Sequence, residues 1–126
     1  MKGNMGVELI SRVLEEAKEC IRKEDAMDAM QASEKLYKAS EEALKILSAR
    51  FRLPEYEESK NKGRWTAPLL FSAVRKLSEE VSPDIVNWWD HAWFLHVEGF
   101  HEARLNIEEV KFRLRFVEEL VRLAKK

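Results

Sequence analysis

The chain has few of the residues that interrupt helices or cross-link distant segments. Among its 126 residues are one cysteine, three prolines and four glycines. A single cysteine, Cys20, excludes an intrachain disulfide and suits a reducing compartment. We expect Cys20 to be a small, partly buried apolar residue of the first helix. The low proline and glycine content favours long helices over turns and loops.

Long apolar runs and an excess of one charge are also missing. No apolar stretch approaches the ~18 residues that a membrane-spanning helix needs. The first residues contain no apolar core of the signal-peptide type, so we expect a cytoplasmic protein without a membrane partner. The net charge is −1, which argues against a domain-wide surface for nucleic acid and leaves a local basic patch open.

Strong helical patterning is what the chain does have. Hydrophobic residues make up 45% and charged residues 36%, which together with the length predicts one all-α domain over residues 1–126. Residues 52–65 are polar and are predicted to form the only long loop. Apolar spacing and capping residues predict an up-and-down bundle of about five helices: residues 7–24, 25–51, a helix capped by Thr66, one started by Ser82-Pro83-Asp84, and one from Asn106 to about Ala124.

The last helix carries two apolar stripes. Val110, Val117 and Val121 lie on one, whereas Phe112, Phe116 and Leu123 lie on another that is roughly opposite. A bundle can cover one stripe, and a second copy of the chain can cover the other. We therefore predict a homodimer through Phe112, Phe116 and Leu123. The alternative is a last helix that is sandwiched within a single bundle.

Residues 88–102 hold three of the four tryptophans and all three histidines. On an α-helical wheel His96 falls within the apolar stripe, so it is either a hydrogen-bonded core histidine or a site residue beside a wall of tryptophans.

His91, His96 and His101 are five residues apart, and side chains at this spacing diverge by roughly 140° on an α-helix. Helical metal pairs use a spacing of four, so we predict no metal site and no cofactor.

No catalytic signature is present elsewhere in the sequence. There is no serine in a glycine-flanked turn and no glycine-rich phosphate loop. Arg64 beside Trp65 offers a cation for phosphate and a ring for stacking, which suits a nucleotide or a single strand. Alternatively, the Trp65 side chain packs against the end of the helical bundle as part of the core, and Arg64 is exposed to solvent without a binding role.

The patterns KGRW-x-x-PLLFSAVRKL and W-x-x-A-x-x-LH-x-x-GFHE, after ASEKLYKASEEALKIL, resemble the PaREP-type family of archaeal helical proteins. That family is itself similar to HEPN domains (higher eukaryote and prokaryote nucleotide-binding). The resemblance covers roughly residues 29–124. It implies an all-α bundle that commonly pairs as a homodimer and a role with nucleotides or RNA. It also implies partners such as a nucleotidyltransferase or a toxin–antitoxin protein from a neighbouring gene.

One departure from the HEPN pattern limits the functional inference. Catalytic HEPN ribonucleases carry an arginine, four to six residues, and then a histidine. No arginine lies between Arg75 and Arg104, so no ribonuclease residue can be carried over and we predict no catalytic residue.

The resulting hypothesis is a dimeric binding protein, rather than an enzyme, that holds a nucleotide or nucleic acid. Alternatives are an interaction subunit without a small-molecule site, or a divergent ribonuclease that uses His96 or His101. The predicted ligand-binding residues are Arg64, Trp65, Trp89, His96, His101 and Glu102.

Overall fold

The computed structural model describes residues 2–23 and 26–126, with side chains for 6–23 and 27–126. This part of the chain is all-α, as predicted, and it contains six α-helices where about five were expected. The predicted end of the first helix at Glu24 and start of the second at Asp25 lie outside the described residues. The helices are α1 (Lys2–Lys23), α2 (Ala26–Arg50), α3 (Pro54–Lys62), α4 (Ala67–Glu80), α5 (Asp84–Phe94) with a π-helical continuation (Leu95–His101, the π segment), and α6 (Ile107–Lys125).

Helix α2 is the centre of the bundle. It packs along α1 and α6 and also touches α3, α4, α5 and the π segment. Its buried face alternates large leucines with small residues such as Ala32, Ser33 and Ser40, and small side chains let neighbouring helices approach closely. The hydroxyls of Ser33 and Ser40 donate to the carbonyls four residues earlier, so their burial leaves no unmet hydrogen bond.

The predicted loop over residues 52–65 is wrong, because most of it forms α3. Pro54 starts this helix, and Gly63 ends it with a φ of 75°, a left-handed conformation that glycine adopts without strain. Its inward side chains are Glu55 and Ser59. A helix with a polar inner face gives no apolar periodicity for a sequence-based prediction to detect.

The capping predictions are confirmed for α4 and α6, whereas at α5 the N-cap is Pro83 rather than Ser82, and the Ser82 hydroxyl accepts a bond from the Asp84 amide at 3.3 Å. The Thr66 hydroxyl accepts a hydrogen bond from the Leu69 amide at 3.4 Å, and the Asn106 side chain accepts one from the Glu109 amide at 2.9 Å. Each bond satisfies an amide that the first turn of a helix leaves without a backbone partner. The two short connections before α4 and α6 are therefore fixed at their helix ends.

Helix α6 buries one apolar stripe in the bundle. Val110, Val117 and Val121 are at most 2% exposed. On the other stripe Phe112 is 47% exposed, whereas Phe116 and Leu123 are half-buried. Among the described helices, none combines the length and apolarity that crossing a membrane requires.

Candidate functional site

The π segment continues α5 without a break and changes its periodicity. The Glu102 amide donates to the Val97 carbonyl at 2.9 Å, five residues back, which is the π-helical pattern. Gly99 lies at the point where this wider backbone meets α2. A β-carbon at Gly99 would be 2.1 Å from the Ser33 hydroxyl oxygen. Gly99 allows the helix to continue in close contact with α2.

His96 is held from two sides by residues of α2. Its Nδ1 lies 2.9 Å from Glu34 Oε1, and its ring stacks on Tyr37 with centroids 4.0 Å apart. The His96 side chain is 18% exposed. An ionised carboxylate only accepts hydrogen bonds, so Nδ1 carries the proton and donates it to Glu34, which leaves the Nε2 lone pair available in the neutral ring.

His101 meets His96 at this atom. The two Nε2 atoms are 3.1 Å apart, and the ring planes cross at 80°. The sequence prediction that these side chains diverge is wrong, because it assumed α-helical geometry. A π-helix winds more widely, with hydrogen bonds between residues five apart, so side chains at this spacing diverge much less than on an α-helix. His101 is exposed, so the pair extends from the bundle's flank to solvent.

Aromatic rings surround His96 on its inner side. Trp93 and Phe100 have ring centroids 5.3 and 6.4 Å from it. Trp89 packs on Tyr37 at 5.5 Å and is only 2% exposed, so it supports the rings from within the core and does not face a ligand. Burial, followed by the charges of Glu41 and Glu34, raises the pKa of the Tyr37 hydroxyl, which therefore stays neutral.

Arg64 and Trp65 lie at an open cavity of about 560 Å³ between α2 and α3, called here the α2–α3 cavity. Trp65 is half-buried against the core, and Arg64 is exposed. The α2–α3 cavity is lined by Lys38, Glu41, Lys45, Tyr56, Ser59, Lys60, Gly63, Arg64 and Trp65. The histidine pair and Glu102 are not part of its lining.

The histidine pair and the α2–α3 cavity nevertheless share one face of α2. Glu34 at the first and Lys38, Glu41 and Lys45 at the second follow at steps of three and four residues, which places them on one stripe. One helical turn, about 6 Å along the axis, separates Glu34 from Lys38. The structure thus brings Arg64 and Trp65 together at the α2–α3 cavity and His96 and His101 together beside it, rather than all of them around one pocket.

Comparison with known proteins identifies the family. The model of the archaeal PaREP1/PaREP8 family matches residues 6–121. The chain belongs to this family. A crystal structure of a Sulfolobus solfataricus protein is similar to it, with a TM-score of 0.84 and 43% identity over 92% of this chain and 93% of that one. A solution structure of the same target has a TM-score of 0.78 and 44% identity over 92% of this chain and 88% of that one. None of the curated proteins compared with the chain matches it.

Sequence reasoning missed a polar centre in this PaREP1/PaREP8 protein, at the contact of α3 with α4. Glu55 is 6% exposed and pairs with Lys76 at 2.8 Å and with the Ser72 hydroxyl. Burial raises the pKa of the Glu55 carboxyl, but the hydrogen bonds from Lys76 and Ser72 outweigh it and lower the pKa. The centre borders a cavity of about 500 Å³. It was missed because Glu55 fell in the predicted loop.

A second missed contact involves the third histidine. The Arg113 guanidinium of α6 donates to His91 Nδ1 at 2.9 Å and lies over the Phe94 ring. The His91 ring stacks on Phe116 at 3.7 Å. Burial and the charge of Arg113 lower the pKa of His91, against a smaller opposing effect of Asp90. His91 is therefore a neutral packing residue in this PaREP1/PaREP8 bundle.

Proposed function

We propose that the protein is a non-enzymatic binding module that holds a nucleotide, or a short piece of nucleic acid, in the α2–α3 cavity. One observation carries the proposal. The lining of this cavity combines four cations with a single carboxylate and two aromatic rings. Its volume lies in the range of small-molecule sites. A relationship to HEPN domains and a cytoplasmic location are part of the same proposal.

The cations are available to a phosphate. The ion pairs of Lys38, Lys45 and Lys60 with nearby glutamates are 3.5 to 4.0 Å long. Both side chains of the Lys60–Glu57 pair are exposed, and such a pair contributes little free energy. Arg64 has no ion-pair partner among the described residues. Because the whole chain has a net charge of −1, this positive charge is a local feature that favours an anionic ligand.

The two rings give the ligand's base a place to stack. Trp65 is half-buried and packs against the hydrophobic core. Tyr56 is also part of the lining, and Lys60 Nζ lies 4.5 Å above the Tyr56 ring. Stacking of a base on an aromatic side chain contributes about 1–3 kcal/mol. A phosphate near Arg64 and a base near Trp65 would use both kinds of contact.

Thermal melting with a panel of nucleoside mono- and triphosphates and a short oligouridine tests this proposal. At a ligand concentration 100 times Kd the free energy of unfolding should rise by about 2.7 kcal/mol. Arg64→Gln and Trp65→Leu should each remove most of that gain. Arg75→Gln is the matched control, since Arg75 is exposed and lies outside the cavity lining. The absence of any shift in the unmodified protein, or unchanged binding by Arg64→Gln, would exclude the proposal.

His96, His101 and Glu102 enter the proposal as a second contact for a longer ligand. His96 contacts Glu34, which lies one helical turn from Lys38 along α2, and this separation suits an oligonucleotide rather than a mononucleotide. Substitution of His101 by Gln should therefore weaken oligouridine binding and leave mononucleotide binding unchanged. Equal losses for both ligands would contradict this extension.

A second candidate function is assembly, as a homodimer or as a subunit bound to a protein from a neighbouring gene. The observation in its favour is the exposure of Phe112, 47%, beside Phe116 and Leu123 on α6. We propose that a second copy of the chain covers this surface.

Sedimentation should give twice the chain mass of 14.8 kDa, and Phe112→Ser should give the monomer. Phe51→Ser is the control, because Phe51 is 42% exposed elsewhere; a monomeric unmodified protein at high concentration would refute the dimer.

A further inference from the structure

We propose that His96 and His101 bind a divalent transition-metal ion through their Nε2 atoms, with Glu34 orienting His96 from behind. This inference does not rest on nucleotide binding in the α2–α3 cavity, whose lining excludes both histidines; it assigns the same pair that was proposed above as a second contact for an oligonucleotide. Its basis is a pair of imidazole nitrogens that the π segment brings together and that reaches solvent through the exposed ring of His101.

The distances fit two ligands of one ion. The two Nε2 atoms are 3.1 Å apart. With metal–nitrogen bonds of about 2.0–2.1 Å, this separation corresponds to a ligand–metal–ligand angle of roughly 100°. That angle lies between the octahedral and tetrahedral values. The ring centroids are 4.4 Å apart and the planes cross at 80°, so the edges that carry both Nε2 atoms meet without stacking of the rings.

Glu34 supplies the outer contact that metal-binding histidines usually have. Its carboxylate accepts the Nδ1 proton of His96 at 2.9 Å, which fixes the tautomer and points the Nε2 lone pair at His101. The stack on Tyr37 limits rotation of the same ring. His96 is thus already oriented before an ion arrives, and little ordering free energy is lost on binding.

His101 completes the pair from the solvent side. When both imidazoles are neutral and no metal is bound, His101 donates its Nε2 proton to the Nε2 atom of His96. When the ion binds, that proton moves through solvent to His101 Nδ1, and both Nε2 lone pairs face the metal. No net charge is lost or gained by the imidazoles.

The site leaves coordination positions open. No group of three or more His, Cys, Asp or Glu side chains converges within residues 2–23 and 26–126, so water or an added ligand must fill the remaining positions. Open positions are typical of metal sites that bind or activate a ligand rather than of structural ones. Imidazole ligands suit Cu²⁺, Ni²⁺ and Zn²⁺, of which Cu²⁺ binds most tightly.

Titration of the full chain with Cu²⁺, followed by calorimetry and by electron paramagnetic resonance, tests the inference. The unmodified protein should bind one equivalent, with a spectrum that shows two imidazole nitrogens. His96→Asn and His101→Asn should each weaken binding at least tenfold and leave one nitrogen in the spectrum. The doubly substituted protein measures binding to the rest of the chain, including its amino terminus.

Two further variants separate a built site from incidental binding by any histidine. Glu34→Gln should keep both nitrogens in the spectrum and weaken binding about 10- to 100-fold, the usual effect of losing an outer-shell carboxylate. His91→Asn should bind as the unmodified protein does, because His91 packs against α6. Melting curves without metal confirm that each variant is folded. Binding that persists unchanged in the double variant, or that falls equally with His91→Asn, would overturn the inference.

Discussion

In the helix that runs from Asp84 to His101, two pairs of histidines have the same spacing in sequence but different arrangements in space. His91 of α5 and His96 of the π segment are five residues apart, and they face different neighbours. His91 stacks on Phe116 of α6, whereas His96 stacks on Tyr37 of α2. His96 and His101 are also five apart, but they lie in the π segment and their Nε2 atoms are 3.1 Å from each other.

The difference shows that a residue spacing defines a shared face only when the backbone periodicity is known. From α5 into the π segment a step of five turns the side chain to another neighbour, whereas within the π segment the same step brings the side chains together. π-helical turns are rare and occur frequently at functional sites. The contact of Gly99 with Ser33 holds this turn against α2, so packing rather than local sequence preference is what brings the two histidines together.

The largest effect should come from substitution of Gly99 by Ala. The new β-carbon would lie 2.1 Å from the Ser33 hydroxyl oxygen and 2.5 Å from the Ser33 β-carbon. We expect a loss of about 3 kcal/mol in the free energy of unfolding, measured by urea denaturation, because such overpacking must displace a helix. Heteronuclear NMR should also show that the contact between His96 and His101 is lost.

Two variants serve as controls for the Gly99 prediction. Adding Ser33→Gly to Gly99→Ala should recover part of the stability, since it removes both atoms in conflict. Gly63→Ala should cost only about 1 kcal/mol, from its left-handed backbone, because a β-carbon at Gly63 would have no neighbouring atom within 4 Å. A Gly99→Ala protein as stable as Gly63→Ala would mean that the close approach is not what fixes the π segment.

The contrast between the two halves also explains which parts of the structure could be predicted. Apolar periodicity and caps placed α4 and α6 correctly, since Thr66 and Asn106 make the bonds that their positions predict. Helix α3 was missed because its buried residues, Glu55 and Ser59, are polar. The histidine pair was missed because every wheel projection assumes 100° per residue, which the π segment does not follow.

The candidate ligand-binding residues were predictable to different degrees for the same reason. Arg64 and Trp65 are adjacent in sequence, and their place beside a cavity required only that the local chain fold back on α2. The distance of Arg64 and Trp65 from His96 and His101 depends on how α3 and the π segment pack on different turns of α2. No local sequence pattern predicts that packing. Glu34, which bonds His96, lies 62 positions away in the sequence. A single sequence offers no signal for such a pair.

A smaller effect, with a defined pH dependence, should come from His91→Asn. Burial and the Arg113 charge hold the pKa of His91 below its usual 6.5, so the unfolded chain binds more protons at that site than the folded one. Stability from this residue is therefore fully present above pH 6.5 and is lost progressively as the pH falls from 6.5 through the lower pKa of the folded state. We expect His91→Asn to lose about 2 kcal/mol at pH 7.5, from the missing bond to Arg113 and the missing stack.

The comparison of urea denaturation at pH 7.5 and pH 5.5 checks this prediction. The unmodified protein should lose more stability between the two pH values than His91→Asn does. His101→Asn is the matched control, because His101 is exposed in the other half of the helix and should leave the His91 contribution intact. An identical pH dependence in the unmodified protein and in His91→Asn would contradict the assignment.

A smaller loss still, about 1 kcal/mol, is expected for Glu34→Gln. The amide can accept the Nδ1 proton of His96, but without the charge that strengthens the hydrogen bond. Chemical shifts of the imidazole nitrogens measure whether His96 keeps its proton on Nδ1. Glu42→Gln is a suitable control on the same helix, since Glu42 contacts Lys45 rather than a histidine. An unaltered His96 spectrum in Glu34→Gln would show that the ring is held by Tyr37 alone.

The smallest effect should come from Arg104→Gln. This variant tests whether the Arg104–Glu98 ion pair or the contact of Gly99 with Ser33 stabilises the π segment. Arg104 pairs with the Glu98 carboxylate at 2.7 Å, but its side chain is 64% exposed, and exposed pairs contribute about 0–1 kcal/mol. The Arg104 amide keeps its bond to the Glu98 carbonyl in the variant, so the chain can still leave the π segment in the same direction. We expect a loss of at most about 0.5 kcal/mol and an unchanged contact between His96 and His101 in the NMR spectrum. A loss of that contact in Arg104→Gln would mean that the exposed ion pair, and not the packing of Gly99 on Ser33, selects the π-helical register.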